Sequence, residues 1–226
     1  MKQEKREIVI PSQLLGDIKN MKAGRGTFIE NGKIYSEILG VVKRNGRFIN
    51  VVPIKGRYLP NEKDFVIGIV LEAMSSSWLV DINAAYPSLL HVNEVPWDIE
   101  FGETERYLKT GDAVMAKVLQ VDQENHIQIT LNDRNLYKIK GGHILDVEPS
   151  KVPRIIGKKG SMINIIKKYS KCRIFVGQNG RIWIDGNEEG IKKVMETINL
   201  IEEEALTYGL TNKVERILKK DAKDVR

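Results

Sequence analysis

Three Asn-Gly dipeptides constrain the fold of this chain more than any other feature of its sequence. Asn31–Gly32, Asn45–Gly46 and Asn179–Gly180 each lie between two short runs rich in β-branched and aromatic residues. Asparagine and glycine tolerate the positive φ angles that a tight hairpin turn requires, so each dipeptide predicts an antiparallel β-hairpin. The sequence therefore predicts a mainly β chain, to which helical periodicity adds a C-terminal α/β part.

Composition narrows the classes of function. The chain has 226 residues and a net charge of +6, which favours a nucleic acid or another anionic partner without selecting one. One cysteine, Cys172, excludes an intrachain disulfide, and the scattered histidines His91, His126 and His143 show no metal-ligand spacing. We predict no metal and no cofactor. The first ten residues lack a long apolar core and no run is long enough to span a membrane, so a cytoplasmic protein is predicted.

Residues 1–60 predict a small antiparallel β-domain, because two of the three Asn-Gly turns fall within them. Its second hairpin region contains cations and no acid between positions 41 and 57. These cations are Lys43, Arg44, Arg47, Lys55 and Arg57. The residues alone leave open whether they form a solvated strand face or a contact surface.

Residues 63–136 contain short β-rich runs at regular spacing, which is typical of a small all-β barrel. Several aspartates lie in this part of the chain, and an enzyme would need some of them as catalytic groups. They are Asp81, Asp112, Asp122 and Asp133. Strand ends and turns account for such positions, and no paired-carboxylate or metal-ligand spacing emerges, so a non-catalytic protein is predicted.

Residues 141–206 predict the order strand, helix, glycine turn, helix, strand, strand, helix. The last helix has a stripe of apolar residues at helical spacing, and Asn187 before it is a predicted N-cap. Residues 207–226 form a C-terminal tail that could be a short helix or a frayed end.

The glycine turn at 157–160, Gly-Lys-Lys-Gly, is the strongest candidate for a binding site. Glycine lets another backbone approach closely, and the N-terminus of the next helix attracts anions. Residues 151–173 contain eight lysines and arginines and no acid. The spacing matches neither the Walker pattern nor the dinucleotide fingerprint. We therefore predict that this turn binds a sugar-phosphate chain.

The stretch from Arg154 to Gly186 resembles the KH domain, a module that clamps about four nucleotides of single strand over a Gly-x-x-Gly turn. The resemblance rests on the apolar pair before the turn, the turn itself, and the hairpin and helix that follow. It implies a set of RNA-binding residues on both sides of the turn. They are Arg154, Ile156, Gly157, Lys158, Lys159, Gly160, Ser161 and Ile163.

The preceding part resembles the OB-fold RNA-binding domain named after the largest small-subunit ribosomal protein. "SSSWLVDIN" supplies an aromatic residue on the second strand, and "SLLHVNEV" corresponds to a characteristic turn of that domain. The sequence departs from the common pattern at Tyr86-Pro87-Ser88 and at Asn93. The resemblance implies RNA contacts at Ser77, Trp78 and His91, with core packing as the other interpretation of Trp78.

Taken whole, the chain is similar to the RNA-binding cap subunits of the archaeal exosome. The resemblance implies a non-catalytic protein, three copies of which sit on a hexameric ring of phosphorolytic RNase PH-like subunits, alone or mixed with another cap subunit. It further implies that they guide the 3′ end of single-stranded, A-rich RNA inward. Ring docking would involve the N-terminal domain, with Lys43, Arg44 and Arg47 as candidates. A free-standing KH–OB factor in transcription or translation is the alternative.

Overall fold

The structure is a computed structural model that describes residues 7–122, 124–205 and 209–221, with the side chains of residues 220 and 221 excluded. The chain divides into two compact units, Met1–Gly56 and Arg57–Arg226. Each unit has its own sheets and its own apolar core.

The first unit consists of two small sheets joined by tight turns. Its strands are β1 Ile8–Val9, β2 Leu14–Asp17, β3 Lys22–Ala23, β4 Thr27–Glu30, β5 Lys33–Ser36, β6 Gly40–Asn45 and β7 Phe48–Pro53. The strand orders are β1-β6-β7-β3 and β2-β5-β4. The hairpins predicted at Asn31–Gly32 and Asn45–Gly46 are confirmed as β4–β5 and β6–β7. Asn31 and Gly32 both have positive φ, as the turn chemistry requires.

The first unit has a small core and an uncovered sheet face. The core is formed by Val9, Leu15, Ile34, Ile49 and Val51. On the other face of the second sheet, Leu14 and Phe28 flank Tyr35 in register, and Phe28 stacks on Tyr35 at 5.6 Å between ring centroids. Leu14 and Phe28 are both exposed, so this row is open to solvent within the unit.

The second unit begins with a closed barrel. Its strands are β8 Phe65–Ala73, β9 Ser77–Asp81, β10 Ser88–His91, β11 Ala113–Val121 and β12 Ile127–Thr130, and β13 Tyr137–Lys138 pairs outside it with β11. The barrel order is β8-β9-β10-β12-β11 with β11 pairing back to β8, and only the β10–β12 pair is parallel among these five. This arrangement confirms the predicted OB-like barrel and shows that it has five strands.

The C-terminal part is a three-stranded sheet covered by helices. Its elements are β14 His143–Asp146, α1 Val152–Ile156, α2 Ser161–Ser170, β15 Arg173–Val176, β16 Arg181–Asp185, α3 Glu188–Glu203 and α4 Leu210–Asp221. The sheet order is β14-β16-β15, and all pairs are antiparallel. The predicted order of elements is confirmed, as is the N-cap, since the Asn187 side chain accepts a hydrogen bond from the Gly190 N–H.

Both faces of this sheet are buried. Ile182 and Ile184 pack with the helices, whereas Trp183 joins the core of the barrel, with Phe175 and Ile144 packed against it. The sheet therefore lies between the helices and the barrel and packs against both. Because both of its faces are covered, β16 is almost continuously buried.

The turn between β15 and β16 fastens the sheet to the barrel. Asn179 is fully buried, and its side-chain amide donates to the carbonyls of Ile67 (2.8 Å) and Ile82 (2.9 Å) and accepts from the Ile67 N–H (3.3 Å). Gln178 exchanges two further hydrogen bonds with the backbone of Phe65, each 2.8 Å long. The side-chain amide of Asn179 thus takes the place of a neighbouring strand, because it pairs with the backbone of Ile67 on β8 and of Ile82 just after β9.

An ion pair reinforces the same junction. The Arg181 guanidinium is buried, forms an ion pair with Asp81 and donates to the Asp81 carbonyl at 2.7 Å. It also reaches Asp146 on the neighbouring strand at 3.3 Å. The barrel and the sheet therefore form one connected unit, and the boundaries predicted at 63–136 and 141–206 stay predictions.

Candidate nucleic-acid-binding site

The turn at 157–160 joins two helices by a change of backbone direction. Helix α1 ends at Ile156, and its C-cap Gly157 has φ and ψ of 75° and 172°. Helix α2 begins after Gly160, which is left-handed at 78° and 12°. Between them Lys159 is also left-handed, with φ 53° and ψ 33°. Two glycines and one strained lysine thus form a tight, protruding corner.

Gly157 is required by the packing of this corner. A Cβ at Gly157 would lie 2.7 Å from the Met162 nitrogen and 2.8 Å from the Met162 Cβ. Gly160 has more room, because a Cβ there would meet nothing closer than 3.5 Å, the side-chain nitrogen of Asn164. The backbone at Gly157 consequently lies against the first turn of α2, and there is no room for a side chain at that position.

The corner presents positive charge beside an uncapped helix start. Lys158 and Lys159 are both exposed. The α2 N-cap is Gly160, and no side chain caps the helix there. The free N–H groups of a helix start attract an anion, and the two ammonium groups add to this attraction. Such a corner can hold a phosphate group of a nucleic-acid backbone.

The other residues predicted around the turn differ in exposure. Ser161 is exposed at the first position of α2, and Arg154 and Ile156 are half-buried on α1. Ile163 packs in the core beneath α2 with 8% of its surface exposed, so its main role in this structure is to hold the helix in place. After Ser161, the next exposed residue along α2 is Asn164, which sequence reasoning missed and which the i, i+3 relation to Ser161 could have revealed.

The predicted contacts on the barrel fall on mostly buried residues. The Trp78 ring is 0% exposed and its Nε1 donates to the Leu108 carbonyl at 3.0 Å. It has no free face on which a base could stack, which corrects the prediction of an RNA contact at Trp78 in favour of core packing. Ser77 is also buried, and His91 is half-buried, with its Nδ1 accepting from the Asn93 N–H.

The cations predicted for docking lie on one hairpin of the first unit. Lys43, Arg44 and Arg47 are exposed on β6 and the turn that follows it. Arg44 forms an ion pair with Glu7 at 2.7 Å, which sequence reasoning missed because Glu7 is distant along the chain. Phe48 is exposed beside Arg47, with the Lys22 ammonium 5.9 Å from its ring centroid. The hairpin tip is thus both basic and apolar.

The candidate catalytic acids have structural partners. Burial would raise the pKa of Asp112, but hydrogen bonds from Lys138 and the Lys109 N–H hold it below its usual value. A hydrogen bond from Lys117 lowers the pKa of Asp133. A general acid at neutral pH needs a raised pKa instead.

The described residues contain neither a cluster suited to a metal ion nor a helix suited to a membrane. Within residues 7–122, 124–205 and 209–221, no group of three or more His, Cys, Asp or Glu side chains is placed to hold a metal ion. Over the same described residues, no helix is long and apolar enough to cross a membrane.

Barrel, sheet and glycine corner together define an OB-like barrel joined to a KH domain. The pattern of the KH domain family matches residues 142–190, and that of the "Exosome RNA binding protein RRP4 N-terminal domain" matches residues 6–55.

Comparisons over the whole length identify the family. The chain is 44% identical to the exosome complex component Rrp4 of Methanosarcina mazei, over 96% of this chain and 83% of that protein. It is 42% identical to the Rrp4 component of Picrophilus torridus, over 96% and 94%. A crystal structure of an exosome complex RNA-binding protein matches with a TM-score of 0.68 and 32% identity, over 76% of this chain and all of the other. The chain belongs to the Rrp4 family of exosome components.

Proposed function

We propose that this chain is a non-catalytic, RNA-binding component of the cytoplasmic exosome. It binds single-stranded RNA at the glycine corner and guides its 3′ end into a ring of phosphorolytic RNase PH-like subunits. The observation that carries the proposal is the exposed pair Lys158 and Lys159 beside an uncapped helix start, in a chain of the Rrp4 family. A preference for A-rich tails is part of the same proposal.

The structure supports a role for charge at this corner. The eight cations at 151–173 have no acid among them in the sequence, whereas α3 contains several glutamates. Phosphates therefore meet little repulsion on the α1–α2 side of the domain. Phosphate contacts are expected to make affinity fall steeply with salt.

A double charge reversal tests the corner. Lys158→Asp with Lys159→Asp should lower affinity for single-stranded RNA at least about tenfold at ~0.1 M salt, because two phosphate contacts are lost. The matched control is Lys192→Asp with Lys193→Asp, an adjacent lysine pair on α3 with the same change in charge. Fluorescence anisotropy with a labelled oligonucleotide measures both. Equal losses in the two variants would show that only net charge matters and would refute the clamp.

The first unit is proposed to dock on the ring. Its basic and apolar hairpin, with Lys43, Arg47 and Phe48, and the open row around Tyr35 offer surfaces for an acidic or apolar partner. Three copies per ring, alone or with another cap subunit, follow from the same proposal.

Reconstitution with RNase PH-like ring subunits tests this second part. Stable co-elution and faster phosphate-dependent RNA degradation are expected, and the isolated chain should degrade nothing. A chain that stays monomeric and free of the ring at native salt would favour a free-standing RNA-binding factor. Degradation by the chain alone with phosphate or a divalent metal would contradict the non-catalytic proposal.

A further inference from the structure

A stripe of exposed polar residues runs along α2 from the glycine corner to the end of the helix. We call Ser161, Asn164, Lys168 and Lys171 the α2 stripe; the first three lie on the helix, and Lys171 is its C-cap. Their spacing of three or four residues places them on one side of the helix, and all four are exposed. A helix of 10 residues is about 15 Å long, so the stripe extends well beyond the reach of the two corner lysines.

Helix α4 adds a cation beside the last turn of α2. Leu210, Val214 and Leu218 of α4 are buried in the core that α2 also contributes to. This packing places Lys219 near Tyr169 on α2, close enough for the two side chains to interact. The Lys168 ammonium lies 5.6 Å from the centroid of the same ring.

We call Lys168, Tyr169, Lys171 and Lys219 the α2–α4 patch. It contains three cations and a half-buried aromatic ring. One anion, Glu215, lies within it: Glu215 and Lys219 form an ion pair at 2.7 Å, and Lys168 is a nearby charge. The net charge of this group of five side chains is therefore positive.

The helix dipole explains only part of this arrangement. Cations near a helix C-terminus stabilise the helix, which accounts for Lys167 and Lys168. The helix dipole does not explain why residues 151–173 contain no acid, nor why a tyrosine ring lies between two lysines. Aromatic rings interleaved with cations are the usual platform for single-stranded nucleic acid.

We propose that RNA held at the glycine corner continues along the α2 stripe and reaches the α2–α4 patch, where lysines contact phosphates and Tyr169 stacks on a base. This inference rests on the proposed function, since it extends the same RNA path. A Gly-x-x-Gly turn alone clamps about four nucleotides, so the patch adds affinity only for longer RNA.

Length-dependent binding tests the path. The variant is Lys168→Ser with Lys171→Gly, in which glycine suits the left-handed φ of 57° at Lys171. The control is Lys192→Ser with Lys63→Gly, because Lys63 is also exposed and left-handed, with φ 69°. Both variants lose two positive charges, one from a helix and one from a left-handed position.

The expected result is a difference between RNA lengths. For an RNA of about four nucleotides, the patch variant should bind within about twofold of the control. For an RNA of about 12 nucleotides it should bind roughly tenfold more weakly, and the slope of log affinity against log salt should fall by about 1.4, since each lost contact contributes ~0.7. Affinity for the longer RNA equal to that of the control, or equal losses at both lengths, would overturn the path.

Tyr169→Leu separates stacking from charge. It should weaken binding of the longer RNA with an unchanged salt slope, because stacking releases no counterions. Unchanged affinity would show that the Tyr169 ring makes no contact with the RNA.

The corner is tested independently: Lys158→Asp with Lys159→Asp should weaken binding of both the short and the long RNA. Unchanged binding of the short RNA in that variant refutes the proposed function, while the path is judged on the length difference alone.

Discussion

Replacing Asn179 with alanine should destabilise the second unit more than the same change at its exposed neighbour Gln178. The alanine variant loses three hydrogen bonds to buried backbone groups, two at Ile67 and one at Ile82. An unsatisfied buried polar group costs about 1–3 kcal/mol, and entering water or small shifts recover part of this. We therefore expect Asn179→Ala to lower the free energy of unfolding by about 2–4 kcal/mol.

The assay is thermal and urea denaturation of the full chain. For a unit of this size a loss of 1 kcal/mol lowers Tm by about 2–4 °C, so the expected shift is roughly 5–15 °C. Gln178→Ala is the matched control, since it removes one exposed hydrogen bond to the Phe65 N–H and should cost about 1 kcal/mol or less.

Asn179→Asp sharpens the test because it keeps the shape and removes the two amide donors. At neutral pH a carboxylate would face the carbonyls of Ile67 and Ile82, so this variant should be less stable than Asn179→Ala. Burial raises a carboxyl pKa, so the deficit relative to alanine should shrink as the pH falls and the carboxyl protonates. A Tm shift for Asn179→Ala no larger than that of Gln178→Ala would refute the assignment of the amide as a structural bridge.

Two further changes test local features. Lys159 has a left-handed φ of 53°, which glycine adopts without strain, so Lys159→Gly should stabilise the second unit by up to about 1 kcal/mol in urea denaturation. The same variant should bind RNA more weakly, because it loses a positive charge. A loss of stability would contradict the strained backbone at Lys159. A hydrogen bond with Asp122 raises the pKa of His126, so this ring should titrate by NMR above an ordinary histidine, and Asp122→Asn should lower its pKa. The stability from this pair should be present while Asp122 is ionised and His126 is protonated; it should be lost as the pH rises through the raised pKa of His126 and as it falls through the lowered pKa of Asp122. An unshifted His126 titration would contradict the contact.

Local signals predicted the elements of this fold. The hairpin at Asn31–Gly32 follows from two residues that adopt positive φ, and the start of α3 follows from the Asn187 cap. Both depend on contacts within a few residues, so the sequence contains all of the information they need.

The junction between barrel and sheet could not be predicted in this way. Arg181 meets Asp81 across 100 positions of the chain, and Trp183 fills a core built by another part of the sequence. Neither contact has a local signature. For the same reason Trp78 remained ambiguous from sequence, since an aromatic residue on a barrel strand has the same pattern whether its ring faces RNA or the core.

The chain contains two Gly-x-x-Gly turns, at 157–160 and 177–180, and the structure shows why spacing alone does not define a binding site. In the first turn the two central residues are exposed lysines beside an uncapped helix start. In the second they are Gln178 and Asn179, whose amides pair with the edge of the barrel, so that turn is already occupied by the protein itself. A charged lysine side chain is stable in solvent or beside an anionic partner, whereas a neutral side-chain amide can be buried when its hydrogen bonds are satisfied. The central residues, more than the glycines, therefore decide which turn is left open to an anionic partner, and exchanging the two central dipeptides should weaken both the proposed RNA binding and the stability of the junction.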